Sequence, residues 1–384
     1  MEIYYGHPSQ ERIVGNIYQG RVEDVLPGLG SAFVDVGERQ SLFLSQGELN
    51  DQLLLDRGLK PWHGPAPIEK VVRPGQSLVL QVRRAGIGSK NPQGTTKISL
   101  PGRFWILLPT EDRLATSRRL SGVRTQRRLR RVAREIRGDG HGLIARTAAE
   151  GASREELEKD YKLLAATWEG IQRAARSTSK PCLLYKTMGL VQAMLRDRLL
   201  DGVCEVVVDS GFLYDKILAF LEYMNMEDYR DRVRVHKNGK PLFEQFNVES
   251  QIQQSLARRV DLAGGGFLVI DETEALIAVD VNTGSDVRHK SQRAAILNTN
   301  LAAADEIARQ LRLRQIAGII VVDFIDMSSE QDQAKLVDRL KTELRKDRVS
   351  ADFVDITELG LVEITRKRRG ESLAEMLENA SFDA

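Results

Sequence analysis

The chain has 384 residues, enough for two to four small domains with sizeable cores. Its 42% hydrophobic and 29% charged residues and net charge of +2 fit an ordinary globular protein, with neither a secretory signal nor a membrane-spanning apolar stretch predicted. The two cysteines, Cys182 and Cys204, form no CxxC pair, so a disulfide framework and a cysteine zinc site are unsupported and a reducing cytoplasm is the expected compartment.

Residues 15–100 predict a small β-barrel. Short runs in which apolar and polar residues alternate are separated by regular turn signals, a pattern typical of such barrels. These runs cover 16–25, 30–36, 41–44, 76–83 and 95–100. A longer polar connection with several prolines, over 46–74, and a glycine-rich loop over 86–94 join them.

An arginine-rich helix is predicted within residues 101–178. Leu129, Val132, Ala133 and Ile136 follow the spacing of an amphipathic helix. Between 118 and 137 the only acidic residue is Glu135, and nine arginines stand at 118, 119, 124, 127, 128, 130, 131, 134 and 137. A solvated helix face usually mixes both signs of charge, so this face favours contact with phosphate groups, with simple solvation as the alternative.

From residue 142 onward predicted strands and helices follow one another, and from Val260 the α/β pattern is clearest. A strand over 142–145 ends in the polar pair Arg146 and Thr147. Two runs flanking a short acidic turn, 267–270 and 275–279, predict a hairpin. The other predicted strands cover 205–209, 318–324 and 352–356, and the predicted helices cover 154–176, 215–223, 292–313 and 330–346.

Two aspartates, Asp280 and Asp323, stand at the ends of predicted buried strands. If these strands are adjacent in a sheet, their carboxylates make a site for a hard cation such as Mg²⁺, which takes one or two carboxylates, keeps several waters and suits phosphate chemistry. Asn282, two residues after Asp280, faces the same side of the strand and is placed to orient a phosphate or a water. The structural alternative is that each aspartate caps a turn or a helix.

These segments resemble the catalytic half of the ribonuclease E/ribonuclease G family over nearly the whole chain. Residues 15–22, Gly-Asn-Ile-Tyr-Gln-Gly-Arg-Val, are similar to the start of the family's S1 domain, an OB-fold barrel. Long strings similar to the family cover 264–282, 298–314 and 321–327. The resemblance implies an α/β multidomain protein with four parts. An RNase H-like domain over 1–14 and 179–255, with a truncated N-terminal part, contains an inserted S1 (OB-fold) domain over 15–100 and a 5′-sensor region over 101–178. A DNase I-like catalytic domain follows over 256–384.

The resemblance also implies an endoribonuclease that cuts single-stranded, often A/U-rich RNA with Mg²⁺, with Mn²⁺ as a substitute. Such an enzyme acts in rRNA and tRNA processing and in mRNA decay, favours 5′-monophosphorylated substrates and leaves 5′-phosphate products. By resemblance, Asp280 and Asp323 hold the metal and Asn282 assists at the scissile phosphate. Asp326 is interpreted as structural, either a cap or a partner that supports the metal ligands.

The resemblance assigns RNA contacts to the barrel. Phe33 and Phe43 match positions that stack RNA bases, and Lys90 matches one that contacts the backbone. OB-folds bind single strands in this way, by aromatic stacking along a basic groove. Without the resemblance, core packing is the simpler interpretation of either phenylalanine.

A pocket that reads the 5′-monophosphate of RNA is also implied. Arg146 and Thr147 match its side chains, and Gly102 matches a backbone contributor to it. A guanidinium fork and a hydroxyl suit a terminal phosphate dianion. Arg118 matches a position that supports the substrate path.

The sequence departs from the family pattern in two places. Family members usually carry a Cys-Pro-x-Cys motif after the catalytic domain, by which two subunits share a zinc ion, and residues 365–384 contain no cysteine. Neither zinc nor a zinc-linked dimer is therefore expected, although a homodimer through other surfaces stays open. The short N-terminus indicates a trimmed domain or a gene start further upstream, and no scaffold tail for degradosome assembly is expected.

Three functions are weighed. A Mg²⁺-dependent endoribonuclease specific for single strands is favoured. An RNA-binding protein that has lost catalysis is the second, and the intact Asp280, Asn282 and Asp323 argue against it. A DNA-directed nuclease is the third, suggested by the DNase I-like topology, and competition between RNA and DNA oligomers would separate it from the first.

Overall fold

The computed structural model describes residues 3–4, 13–59, 66–86, 90–117, 119–120, 122–199, 203–237, 239–273, 275–284, 292–368 and 372–382. Arg118, to which the sequence assigns a role on the substrate path, lies outside these described residues. The chain forms two compact units. The first is Pro8–Lys237, and the second combines Met1–His7 with Asn238–Ala384.

The first unit begins with a closed barrel of five strands: β1 (Ile17–Leu26), β2 (Ser31–Asp35), β3 (Leu42–Ser45), β4 (Ser77–Arg84) and β5 (Gln93–Thr95). Their order is β1-β2-β3-β5-β4, and antiparallel pairing of β1 with β4 closes the barrel. Val22, Val34, Leu44 and Leu80 are among the apolar side chains that fill its interior. The barrel predicted from the alternating pattern is therefore confirmed, and it is consistent with an S1/OB fold. The connection between β3 and β4 contains two short helices, α1 (Asp51–Leu55) and α2 (Ile68–Val71).

A second sheet, with two long helices, follows the barrel. Its strands lie in the order β6-β7-β9-β8, and their bounds are β6 (Leu100–Pro101), β7 (Trp105–Leu108), β8 (Leu114–Thr116) and β9 (Gly142–Ala145). The helices are α3 (Val123–Ile136) and α4 (Arg154–Ser177). The predicted arginine helix is thus confirmed as α3, because its residues Leu129, Val132 and Ala133 are buried in a core with Trp105 and Leu157.

The rest of the first unit is smaller. It contains β10 (Cys182–Tyr185), α5 (Leu190–Arg198), β11 (Val206–Val208), α6 (Gly211–Tyr223) and β12 (Val233–Val235). Strand β10 pairs with β1, and β11 runs parallel to β12. Short 3₁₀ helices cover Pro27–Leu29, Gln46–Glu48, Thr147–Ala149 and Glu227–Arg232. The RNase H-like architecture stays a prediction for this part of the chain.

The second unit is built on a six-stranded mixed sheet with the order β13-β14-β15-β16-β18-β17. Two short helices, α7 (Leu242–Gln245) and α8 (Val248–Leu256), precede it. The strands are β13 (Arg259–Asp261), β14 (Phe267–Glu272), β15 (Leu276–Asn282), β16 (Gly318–Asp323), β17 (Ala351–Ile356) and β18 (Val362–Arg366). The longer helices are α9 (Gln292–Leu313), α10 (Glu330–Arg345) and α11 (Leu373–Phe382).

One face of this sheet packs against α9 and α10. The core joins strand residues such as Val279 and Ile320 to helix residues such as Ala304 and Leu340. The predicted hairpin is confirmed as β14–β15, and α9 has the bounds that the sequence predicted. The sheet topology does not by itself establish the DNase I-like classification, which stays a prediction.

Candidate functional site

Asp280 and Asp323 lie side by side at the ends of two adjacent strands. Strands β15 and β16 run parallel, and the register pairs Asp280 with Asp323. Neighbouring strands lie about 4.8 Å apart, so both carboxylates belong to one edge of the sheet. Val279 and Val322 are buried in the core, whereas the two aspartates, one position further along, are exposed on the other face. The adjacency on which the predicted cation site depended is therefore present.

Asn282 contacts Asp280 directly. Its Nδ2 donates a hydrogen bond to Oδ2 of Asp280 at 2.8 Å, so the two side chains share a face of β15, as their spacing predicted. This bond orients the Asp280 carboxylate and leaves its second oxygen for another partner. The amide oxygen of Asn282 can accept a further hydrogen bond.

Asn300 holds the segment that follows Asp323. It is fully buried on α9, and its side chain forms two hydrogen bonds with the backbone of Ile325. Its Nδ2 donates to the Ile325 carbonyl at 2.8 Å, and its Oδ1 accepts from the Ile325 N–H at 3.1 Å. These bonds fix the direction in which the chain leaves β16. Asp326, one residue further on, is exposed, and its assigned supporting role stays a prediction.

The carboxylate pair has the oxygen ligands that Mg²⁺ prefers. Within the part of the chain that the structure describes, no group of three or more His, Cys, Asp or Glu side chains could hold a metal. Mg²⁺ does not need such a cage, because it binds through one or two carboxylates and completes its shell with waters and phosphate oxygens. Asp280 and Asp323 supply that pair, and their exposure leaves room for the remaining ligands.

A second polar group, here called the arginine pocket, gathers around Arg146, directly after β9. Arg146 donates through Nη1 to the carbonyl oxygen of Gly102 and through Nη2 to Oδ1 of Asp197 at 2.6 Å. Thr147 is exposed beside it, with its Oγ1 3.3 Å from the Ser117 hydroxyl. The structure thus brings together Arg146, Thr147 and Gly102, the three residues that the family resemblance assigned to one pocket.

Asp197 joins Arg146 to a second arginine. Both Asp197 oxygens accept hydrogen bonds from Arg196, at 2.7 and 3.1 Å, and Arg196 also donates to the Pro101 carbonyl at 3.1 Å. Burial by itself raises the pKa of Asp197. The hydrogen bonds and charges of Arg196 and Arg146 outweigh burial, so the pKa lies below its ordinary value. The ionised carboxylate therefore holds both guanidinium groups in fixed orientations.

A buried carboxylate, Asp160 on α4, shapes the backbone of the same pocket. It is 6% exposed and accepts hydrogen bonds from the backbone N–H groups of Arg103, Phe104 and Trp105 at 3.0, 2.9 and 2.9 Å. A Cβ at Gly102 would lie 2.7 Å from both carboxylate oxygens, so the turn closes over Asp160 only with glycine there. Burial raises the pKa of Asp160, and the three backbone hydrogen bonds oppose that shift.

Sequence reasoning missed Asp160, Arg196, Asp197 and Asn300. Each is a polar residue within a helix, where it resembles an ordinary surface position. The only available signal was family similarity around Asn300, whose role the pattern does not reveal.

The barrel places its two assigned phenylalanines together. Phe33 on β2 is paired in register with Phe43 on β3, and their ring centroids are 5.8 Å apart at an interplanar angle of 68°. Both rings are half-buried, and neither belongs to the apolar core described for the barrel. The Phe43 N–H donates to the Pro92 carbonyl at 2.8 Å, which ties the strand to the segment that begins at the exposed Lys90. Both rings are therefore partly accessible, and their assignment to base stacking stays a prediction.

Among the helices that the structure describes, none has the length and apolar character needed to cross a bilayer.

A closed five-stranded barrel that carries a partly exposed aromatic pair is consistent with an OB fold, a class of barrel that binds single-stranded nucleic acid. The sequence profile of the Ribonuclease E/G family matches residues 99–369. The chain is 38% identical over 366 residues to Ribonuclease E of Nostoc sp., an alignment covering 94% of this chain and 52% of that protein. It is 37% identical over 380 residues to Ribonuclease G of Escherichia coli (strain K12), covering 98% of this chain and 77% of that protein.

The chain therefore belongs to the ribonuclease E/G family, which confirms the resemblance seen in its sequence. It spans about half the length of the Nostoc Ribonuclease E and a larger share of the Escherichia coli Ribonuclease G.

Proposed function

We propose that this chain is an endoribonuclease that cleaves single-stranded RNA with Mg²⁺ held by Asp280 and Asp323. The observation that carries the proposal is the in-register pairing of these two exposed carboxylates on β15 and β16, in a member of the ribonuclease E/G family. Relatives named Ribonuclease E and Ribonuclease G support the reaction class. We propose that Mn²⁺ can replace Mg²⁺, since both suit carboxylate and water ligands.

The side chains of the acidic edge have separate tasks in this proposal. When bound, Mg²⁺ polarises a phosphoryl oxygen and lowers the pKa of a water molecule, which favours hydrolysis to a 5′-phosphate product. Asp280 and Asp323 would hold the ion, and the hydrogen bond from Asn282 orients the Asp280 carboxylate. Asn282 also positions the scissile phosphate. Asn300 fixes the backbone after Asp323 through Ile325.

The first unit supplies the contacts that hold the RNA. Phe33 and Phe43 offer partly exposed rings for base stacking, and Lys90 offers an exposed ammonium group for the backbone. We propose that the arginine pocket binds the 5′-monophosphate, because the guanidinium of Arg146 contacts the Gly102 turn and the exposed hydroxyl of Thr147 follows it directly. A role for Arg118 on the substrate path is carried by the family resemblance alone.

The wider assignments belong to the same proposal. They are an RNase H-like domain over 1–14 and 179–255, an S1 domain over 15–100, a 5′-sensor region over 101–178 and a DNase I-like catalytic domain over 256–384. The biological role is RNA processing and decay in the cytoplasm.

The deciding experiment is cleavage of a short 5′-monophosphorylated single-stranded RNA with Mg²⁺. We expect cleavage by the wild-type chain and none with EDTA. We expect Asp280→Asn to lower the rate on the order of 10³-fold, because the metal contributes several kcal/mol of charge stabilisation. Its affinity for RNA should stay nearly unchanged.

The matched control is Asp338→Asn, which neutralises an exposed aspartate on α10 of the same unit. We expect it to cleave like the wild type. Undiminished cleavage by Asp280→Asn would contradict the assignment of the acidic edge. Tight binding without any cleavage by the wild type would indicate an RNA-binding protein, and better competition by DNA than by RNA would indicate a DNA-directed nuclease.

A further inference from the structure

We infer that the exposed arginines of α3 form a second binding surface for the RNA backbone, separate from the arginine pocket. The inference rests on the proposed ribonuclease function, because it adds a contact with the same substrate. The surface is called the α3 arginine stripe, and its members are Arg124, Arg127, Arg130, Arg131 and Arg134, all of which are exposed.

The stripe occupies one side of the helix. Because successive helical residues are about 100° apart, its five members fall within about 120° of the circumference. Leu129, Val132 and Ala133 lie on the opposite side and are buried in the core of the first unit. The stripe extends about 15 Å along the helix axis, a length that reaches more than one phosphate group of an RNA strand. It therefore has the shape of a linear anion-binding surface.

Among the described residues, no acidic side chain pairs with an arginine of the stripe. Glu135, the only acidic residue of α3, pairs with Arg154 of α4. Across the ranges that the structure describes, no ion pair or hydrogen bond engages a stripe side chain. By contrast, Arg137 at the end of the same helix pairs with Asp112. The chain thus provides partners for arginines around the stripe but leaves the stripe itself available for an external anion.

The arrangement is unfavourable for the helix alone. Arg127 and Arg131, like Arg130 and Arg134, are four residues apart, where like charges repel. The first turn of α3 contains no acidic residue, and its N-cap, Gly122, provides no side-chain cap. Arg124 therefore lies near the positive end of the helix dipole without compensation. Like-charge repulsion, a missing side-chain cap and an uncompensated dipole in one helix are expected where function requires them. Bound phosphate would supply the missing negative charge.

Two observations favour RNA over a lipid surface as the source of that phosphate. The apolar side of α3 is already buried in its own unit, so the helix cannot insert apolar side chains into a bilayer as surface-lying amphipathic helices do. In addition, Arg128 donates to the carbonyl groups of Ala149, Glu150 and Ala152 at 3.2, 2.8 and 2.9 Å. These bonds tie α3 to the loop that directly follows Arg146 and Thr147. An RNA whose 5′ end occupies the arginine pocket therefore begins close to this helix.

The test measures how RNA affinity depends on salt in two matched double variants. Arg127→Gln/Arg131→Gln removes two charges from the stripe, and Arg173→Gln/Arg176→Gln removes two exposed arginines from α4 of the same unit. The probe is a fluorescent single-stranded RNA with a 5′-hydroxyl, so that the arginine pocket contributes little, in EDTA to prevent cleavage. For the stripe variant we expect weaker binding and a slope of log K against log salt that is shallower by about 1.4, the value for two lost phosphate contacts.

The outcomes separate this inference from the proposed function. An unchanged slope in the stripe variant, or an equal change in the α4 variant, would overturn the inference. So would a loss of binding to anionic phosphatidylglycerol vesicles with no loss of RNA binding. Thermal unfolding checks the fold, and the melting temperature of the stripe variant should not fall, because like-charge repulsion is removed. Failure of the proposed function would instead appear as no Mg²⁺-dependent cleavage by the wild type, whatever the slopes.

Discussion

The acidic edge of the second unit and the arginine pocket of the first unit are built in opposite ways. Asp280 and Asp323 bring two like charges together on an exposed sheet face, and strand register places them there. Arg146 instead sits among compensating groups, with Asp197 neutralising it and the buried Asp160 shaping the turn at its side. The acidic edge is therefore positioned mainly by backbone register, whereas the arginine pocket is held by charged groups that are buried or half-buried with it.

The largest expected effect is on the free energy of unfolding. We expect Asp160→Asn to lower the free energy of unfolding by about 3 kcal/mol, because the amide turns donors toward buried backbone N–H groups that need an acceptor. Asp280→Asn should change it by less than about 0.5 kcal/mol or raise it slightly, because it is exposed and removes cross-strand repulsion. Urea unfolding followed by tryptophan fluorescence measures the first effect, since Trp105 and Trp168 are both buried in the core of the first unit. An equal decrease in the free energy of unfolding in both variants would contradict this difference between the arginine pocket and the acidic edge.

Substrate preference tests the role of the arginine pocket. We expect Arg146→Ala to reduce the preference for 5′-monophosphorylated over 5′-hydroxyl RNA by about 10-fold, the value of one charged hydrogen bond. Arg146→Lys should fall between, because lysine keeps the charge but loses the planar fork. The measurement is the ratio of kcat/KM for the two RNAs, with Arg173→Ala as the matched control on an exposed part of α4. A ratio that stays the same in Arg146→Ala would place the 5′ sensor elsewhere.

Features that depend on local sequence patterns could be predicted from the sequence. Alternation with a period of two placed Asp280 and Asn282 on one face, and the apolar spacing placed Leu129 and Val132 of α3 in the core, because both signals are local. The five-stranded barrel could be predicted for the same reason, from short runs and turn residues.

Partners that are distant in sequence could not be predicted in this way. Asp160 accepts hydrogen bonds from residues 55 to 57 positions away, and Asp197 binds Arg146 from 51 positions away. Nothing in the helical pattern of α4 distinguishes Asp160 from its solvated acidic neighbours. Asn300 is similar, because only the packing of α9 against the sheet reveals that its amide holds Ile325. Residues that support a site through distant contacts therefore cannot be predicted from local patterns, even where the exposed residues of the site can.

The pH dependence of stability is the smallest expected effect, and it separates two carboxylates of the same pocket. The pKa of Asp197 is lowered in the folded chain, because Arg196 and Arg146 together outweigh burial. Its contribution is therefore fully present above the unfolded pKa, about 3.9, and is lost as the pH falls through the lower folded value. Burial raises the pKa of Asp160, so acid has the opposite effect there and favours the folded state.

The free energy of unfolding, measured from pH 6 downward to about pH 3, tests this sign difference. In the wild type, we expect acid to lower the free energy of unfolding through Asp197 by less than about 1 kcal/mol, the contribution of a partly exposed ion pair. In Asp197→Asn this decrease should be absent. Asp139→Asn, at an exposed position of the same unit, should leave the acid-induced loss unchanged. If the free energy of unfolding of Asp197→Asn falls in acid as much as that of the wild type, then Asp197 does not hold Arg146 electrostatically. In that case charge balance does not distinguish the arginine pocket from the acidic edge.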